Sequence, residues 1–197
     1  MAAVNNRGRV LEAAVGAFGT RGYDSTSLDA LAAELGVRKQ TILYYFPSKE
    51  ALLDAVIDQA AAELLDTLEG ALDRAGVGWQ RVEAVVRSVF RLAGRRPELL
   101  GVIREVSRLG PPAATRLTAG LDPLIARATT FLEAEMDAGT MRRHDPRLLL
   151  LAAYSTVIGV ATEVEVLRAL GYEPTARSLV RRRAELLAFL RSALVPS

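Results

Sequence analysis

The sequence predicts an all-α chain. Apolar residues recur at spacings of three and four along most of its 197 residues, glycine and proline punctuate those runs, and no stretch alternates apolar and polar side chains with a period of two. Three short helices are expected in residues 1–50, followed by a longer helical region in residues 51–197.

The elements follow from the residues in order. Val10, Leu11, Ala14, Val15 and Phe18 line one side of a first helix that Gly22 ends. Thr26 is expected to cap the second, with Asp29 three positions on reaching back to the cap and placing negative charge at the positive end of the helix dipole. Leu28, Leu31, Ala32 and Leu35 form its stripe, and Gly36 supplies the left-handed residue that turns the chain. A third helix opens after Val37; Ile42, with Tyr45 or Phe46, would pack it back onto the second. Pro47 cannot continue it, and Ser48 can cap a long helix carrying Leu52, Leu53, Val56 and Ile57 on past Leu68.

Beyond that connector, Gly70, Gly76 and Gly78 loosen the chain before Trp79, and a stripe from Val82 to Phe90 runs up to Pro97. Leu99, Leu100, Ile103 and Val106 make a short helix stopped by Gly110. Pro123 either starts the next helix or kinks it, and Leu124, Ile125, Ala128, Phe131 and Leu132 form its stripe up to Gly139. Two final helices are expected, 146–170 with Asp145 as cap, and 175–193.

Chemistry concentrates in the third helix. Its packing residues leave Arg38, Lys39, Gln40, Thr41 and Tyr44 outward, and a helix N-terminus offers amide donors to phosphate while these side chains can hydrogen-bond base edges in a major groove. Two helices at this spacing, joined by a glycine turn, are a helix-turn-helix. Of Tyr44 and Tyr45, one is expected to pack inward and the other to reach a phosphate, and Lys49 stands where a phosphate would pass.

The segment from about Asn6 to Ala55 resembles the amino-terminal DNA-binding domain of the tetracycline-repressor (TetR) family of bacterial transcription regulators. The resemblance is carried by VLEAAVGAFGTRGYDSTS, the Leu31-Ala32 pair, the Gly36-Val37 turn, KQTILYYF and FPSKEALLDAV, and it covers roughly a quarter of the chain. It departs from the family's pattern at Gln40 and Leu43, and at Arg38, where a serine cap is usual; these positions bear on the operator sequence. The resemblance implies an N-terminal three-helix helix-turn-helix DNA-binding domain in 1–50 and a C-terminal helical ligand-binding and dimerisation domain in 51–197. In that picture Arg38, Lys39, Gln40 and Thr41 approach base edges, and Thr26, Tyr44, Tyr45 and Lys49 hold the phosphate backbone. The implied protein is a dimeric regulator, most simply a repressor released by a small molecule.

Composition is compatible with that picture. A net charge of +2 is too small to argue for nucleic acid alone, although the isoelectric point near 9.2 leans that way. A mean hydropathy of +0.18 leaves apolar surface to be covered. The absence of cysteine removes disulfide and thiolate chemistry, and MAAVNNRGRVLEAA does not read as a signal peptide, so a cytoplasmic protein is expected. The uncharged run from Leu148 to Thr162 is too short to span a bilayer.

The surplus apolar surface sits in the last two helices. The first is apolar nearly all round, with Ser155 and Gly159 permitting close approach; the second offers Leu179, Val180, Leu186, Leu187, Leu190 and Leu194. The resemblance implies that they pair with a second copy as a four-helix bundle, presenting two readers to a roughly palindromic operator; the plain alternative is the core of a monomer. It also implies a largely apolar effector pocket, for which Phe90, Leu100, Ile103, Phe131 and Tyr154 are candidates with Arg104 or Glu105 as polar anchor. At helical spacing the aromatics among them are more often plain core.

No catalytic set is apparent. His144 is the only histidine and reads as a loop residue, no metal site or cofactor motif is expected, and the chain is not expected to be an enzyme. The Arg181 to Arg183 run reads as a solvated or salt-bridged face. The rival reading is an all-helical adaptor whose reader no longer binds DNA.

Overall fold

The computed structural model describes residues 2–196, with side chains from Asn6 on. Among the described residues every regular element is a helix: α1 Ala2–Arg21, α2 Leu28–Leu35, α3 Lys39–Tyr45, α4 Lys49–Leu72, α5 Trp79–Arg95, α6 Pro97–Leu109, α7 Ala113–Asp137, α8 Pro146–Thr162, α9 Val164–Ala169 and α10 Ala176–Leu194. No helix among them is long and apolar enough to cross a membrane. The chain divides into two compact units, residues 1–64 with 96–120, and residues 65–95 with 121–197.

The first unit gathers α1, α2 and α3 onto the start of α4 and onto α6. Its core is the expected stripe, with Val10, Ala14, Val15 and Phe18 meeting Leu31, Ile42, Leu52, Val56 and Ile57, all essentially without solvent contact. Removing such a side chain costs roughly 2–5 kcal/mol. Helices α1 and α6 cross backbone to backbone at Gly19 and Gly101. A Cβ built on Gly101 would stand 2.0 Å from the Gly19 carbonyl oxygen, and one on Gly19 would stand 2.0 Å from the Glu98 oxygen. Only a residue without a side chain permits that approach.

Charged groups fix the same crossing from its two ends. Arg96 reaches Glu12, Glu63 and Glu98 at 3.0, 3.2 and 2.6 Å, and Arg108 reaches Asp24 and Glu105, each at 2.8 Å. Helix α7 starts against α4, where Arg116 forks onto both Asp58 oxygens at 2.7 and 2.6 Å. That helix begins at Ala113 and runs unbroken through Pro123, so proline is an interior residue there and not a start.

In the second unit, α5, α8 and α10 pack together, and Leu132, Met136 and Met141 form a cluster ringed by Val82, Phe131, Leu149 and Leu150. Asp145 caps α8 as expected, accepting from the Arg147 and Leu148 N–H groups at 2.9 and 3.1 Å; Thr175 caps α10. Gly70 lies inside α4, which continues to Leu72 instead of loosening there.

The single helix expected over 146–170 is two, parted at Glu163. Arg182 explains the break. It is buried against α8 and donates from Nη1 to the Val160 carbonyl, the acceptor that the N–H of residue 164 would have used, while Thr162 donates its hydroxyl to Ile158. Arg182 is therefore an interior C-cap and not part of a solvated arginine face; burial pulls its pKa down.

Leu186, Leu187, Leu190 and Leu194 turn inward on α10, leaving Val180 and Phe189 outward at 54% and 61% exposure. On α8 the outward residues are Leu148, Leu151 and Tyr154, at 64%, 59% and 42%. Phe189, absent from the expected stripe, is the largest apolar side chain on the outward side of α10.

Candidate nucleic-acid interface

Local sequence builds the helix-turn-helix in three steps. Ser27 caps α2, its Oγ accepting from the Ala30 N–H at 3.0 Å; Gly36 closes the helix at φ 66°; and Arg38 enters α3 from extended backbone with no side-chain cap. The cap is thus Ser27, one residue beyond the expected Thr26. Thr26 is buried and donates its hydroxyl to the Gly22 carbonyl at 2.9 Å, which closes the α1–α2 corner and leaves no exposed hydroxyl for a phosphate. Two adjacent hydroxyls at a helix start cannot be ranked by spacing alone.

The orientation of α3 follows from two inward residues. Ile42 has no solvent contact and Phe46 almost none, so positions 38, 40 and 44 turn outward: Arg38 and Gln40 are exposed, and Tyr44 is 81% exposed. Thr41 is half-buried, its N–H donating to the Arg38 carbonyl at 2.8 Å. Of the tyrosine pair, Tyr45 is the half-buried one, and its ring meets Tyr44 edge-on at 5.0 Å. That contact stiffens the outward tyrosine against rotation. Lys39 is partly engaged within the fold, its Nζ 2.8 Å from Asp29 Oδ2.

Around Tyr23 the reader, α4 and α6 meet. The Tyr23 N–H donates to Glu105 Oε1 at 2.7 Å, its hydroxyl to Glu50 at 3.3 Å, and Lys49 Nζ lies 4.1 Å from the centre of its ring. Burial first, and then the Glu50 carboxylate, push the Tyr23 hydroxyl up to about 12. Glu105 is held below the usual carboxylate range chiefly by the Arg108 hydrogen bond, with the Tyr23 N–H adding to it. Lys49 therefore sits half-buried on an aromatic ring at the α4 N-terminus, where Ser48 Oγ accepts from Ala51 N–H at 3.1 Å. Glu105, weighed from sequence as a polar anchor for a ligand, is instead a backbone acceptor for the α1–α2 loop.

Two arginines on α1 escaped the sequence reading. Arg7 stacks over the Phe46 ring at 5.1 Å, and Arg9 donates to the Leu35 carbonyl at the end of α2, 3.2 Å away. Their only sequence signal was cationic character next to an apolar stripe.

The residues expected to line an effector pocket are divided between the two units. Leu100 and Ile103 are buried core of the first unit, and Arg104 also belongs there; Phe90, Phe131 and Tyr154 belong to the second, Phe90 buried, Phe131 beneath Arg81 and Tyr154 on the outward side of α8. An open hollow within the second unit is lined by other residues, Asp66, Thr67, Gly70, Arg74, Ser88, Arg91, Leu92 and Arg95. His144 lies exposed between Met141 and α8, and among the described residues no three His, Asp or Glu side chains cluster as metal ligands.

Residues 10–56 match the family described as bacterial regulatory proteins, tetR family. The HTH-type transcriptional repressor DrrR1 of Streptomyces coeruleorubidus is 35% identical over 106 residues, 53% of this chain and 38% of that protein. The chain thus spans under two fifths of that relative's length. The HTH-type transcriptional regulator RutR of Escherichia coli strain K12 is 28% identical over 162 residues, 75% of this chain and 69% of RutR. Among solved structures, AibR in complex with isovaleryl coenzyme A and operator DNA shares the fold, with a TM-score of 0.78 at 17% identity over 93% of this chain and 97% of that one.

Proposed function

We propose that this chain, whose residues 10–56 match the tetR family of bacterial regulatory proteins, is a homodimeric, sequence-specific transcription regulator, a repressor that leaves its operator when a small molecule binds. The observation that carries this reading is the outward row of α3. Arg38, Gln40 and Tyr44 project from a helix whose buried Ile42 and Phe46 fix its rotation, with Lys39 beside them. Such a row suits a major groove, where arginine pairs with guanine and glutamine with adenine, and Tyr44, Tyr45 and Lys49 would meet phosphates alongside. Thr41 is kept as a candidate base contact, and Thr26 acts instead as a fold residue.

Dimerisation is proposed through the outward residues of α8 and α10. Leu148, Leu151, Tyr154, Val180 and Phe189 are more apolar area than a lone helix pair leaves to water, and Gly159 has open space where a side chain would stand. A two-fold pair carries two readers, which calls for a palindromic operator. The functional boundary near residue 50 belongs to the same proposal, residues 51–197 serving effector binding and pairing.

The test is the set of genomic fragments that the purified protein retains, followed by their affinity for Gln40→Ala. The native chain should recover a palindromic sequence, and the variant should relax preference at one position of each half. Recovery of no common sequence by the native chain would overturn the reading.

A further inference from the structure

We propose that the cavity between the second half of α4 and α5 is a binding site for a compact anion, carboxylate- or phosphate-bearing. It is an open hollow of about 280 Å³ that lies wholly within the second unit. Its two walls are single helix faces: Asp66, Thr67, Gly70 and Arg74 recur at helical spacing on and just beyond α4, and Ser88, Arg91, Leu92 and Arg95 do so on α5.

Buried Ser88 and Leu92 make the floor, and the exposed guanidiniums of Arg74, Arg91 and Arg95 make the rim. Gly70 opens the α4 wall. Its missing Cβ would stand 3.5 Å from both terminal nitrogens of Arg74, so the guanidinium lies back over the helix against the cavity. The Ser88 hydroxyl donates to the Val85 carbonyl at 2.8 Å, which leaves the oxygen as an acceptor only and the three arginines as the donors.

The charge balance points to the ligand. Three cations face one carboxylate, Asp66, and Arg74, Arg91 and Arg95 form no ion pair among the described residues. Like charges gathered around one hollow raise the local potential, and an anion held by planar, bidentate donors relieves it. The volume falls at or below the roughly 300–1,000 Å³ of sites for drug-sized ligands, so it fits a small polyanion or the charged end of a longer molecule. That this anion is part of the effector rests on the regulator reading above; the site itself does not.

The test is calorimetric titration of the full-length chain, at fixed ionic strength, with pyrophosphate, with citrate and with choline as a cationic control. Saturable binding of one or both anions, and none of choline, is expected, the stronger anion identifying phosphate or carboxylate as the natural group. Arg91→Gln and Arg95→Gln should each weaken it about tenfold, from the loss of a charged hydrogen bond. Arg91→Lys should recover part of the loss, and Arg177→Gln on α10 should bind as the native chain does. Absence of saturable binding by either anion, or unchanged affinity in the Arg91→Gln, Arg95→Gln double variant, would overturn the proposal. Operator binding measured on the same samples without anion reads the DNA interface separately, so either proposal can fail alone.

Discussion

Replacing Gly101 by alanine puts a methyl group 2.0 Å from the Gly19 carbonyl oxygen, with the Gly19 carbonyl carbon and Cα at 2.8 and 3.0 Å. Every atom in the way is backbone, so no rotamer change relieves the clash. To reach the 3.4 Å of ordinary contact, α1 and α6 must separate by about 1.4 Å, opening a crossing that Arg96 and Arg108 hold at both ends. Overpacking of this kind costs about 1–3 kcal/mol, and with two rigid backbones the upper end applies. Alanine returns about 1 kcal/mol of helix propensity, which leaves a net loss of about 2 kcal/mol. In a chain of this length that lowers Tm by about 4–8 °C. Gly16→Ala on the same helix is the matched control, because nothing lies within 4 Å of its would-be Cβ. It should gain stability and raise Tm by about 2 °C. Circular-dichroism melts of the three proteins at one concentration decide the matter. If Gly101→Ala melts at or above the native chain, in step with Gly16→Ala, the backbone crossing is not as close as the geometry requires.

Lys49→Ala should weaken operator binding at low salt and reduce the slope of log affinity against log salt by about one per reader, measured by fluorescence anisotropy across a salt series. Leu151→Glu with Phe189→Glu should convert the proposed dimer into a helical monomer by light scattering, with operator affinity falling at least a hundredfold through loss of the second reader; a dimer that persists refutes the assigned surface. Glu105 has a lowered folded-state pKa, so its contribution is present above the unfolded value near 4.3 and is lost as pH falls through the folded one. Glu105→Gln should therefore be less stable than the native chain at pH 7, and the gap should close on acidification; a gap that is constant with pH in denaturant titrations would show that the carboxylate charge is not what binds the Tyr23 loop.

The helix-turn-helix was legible because its determinants are local. The stripe Leu28, Leu31, Leu35, the left-handed Gly36 and the stop at Pro47 each act within one turn, and the inward position of Ile42 follows from them. Distinctions that depend on distant neighbours were not legible. Thr26 and Ser27 are equivalent as caps until α1 supplies the Gly22 carbonyl that takes the threonine hydroxyl. Arg182 looks like one of three surface arginines until α8 presents the Val160 carbonyl to it, and the same contact splits a helix that periodicity alone would continue. The hollow between α4 and α5 has an arginine rim that no apolar pattern announces.

If α3 meets DNA as proposed, the Lys39–Asp29 contact makes the protein its own competitor. In the free chain the ammonium already has a carboxylate 2.8 Å away, with both groups solvent-accessible, so a phosphate or a guanine must displace that carboxylate rather than water alone. The displaced Asp29 would then face polyanionic DNA, a penalty incurred at every sequence and recovered only where Lys39 finds a better acceptor. Asp29 would thereby loosen the hold on indifferent duplex more than on the cognate one, and an Asp29→Asn chain is expected to linger on DNA of any sequence.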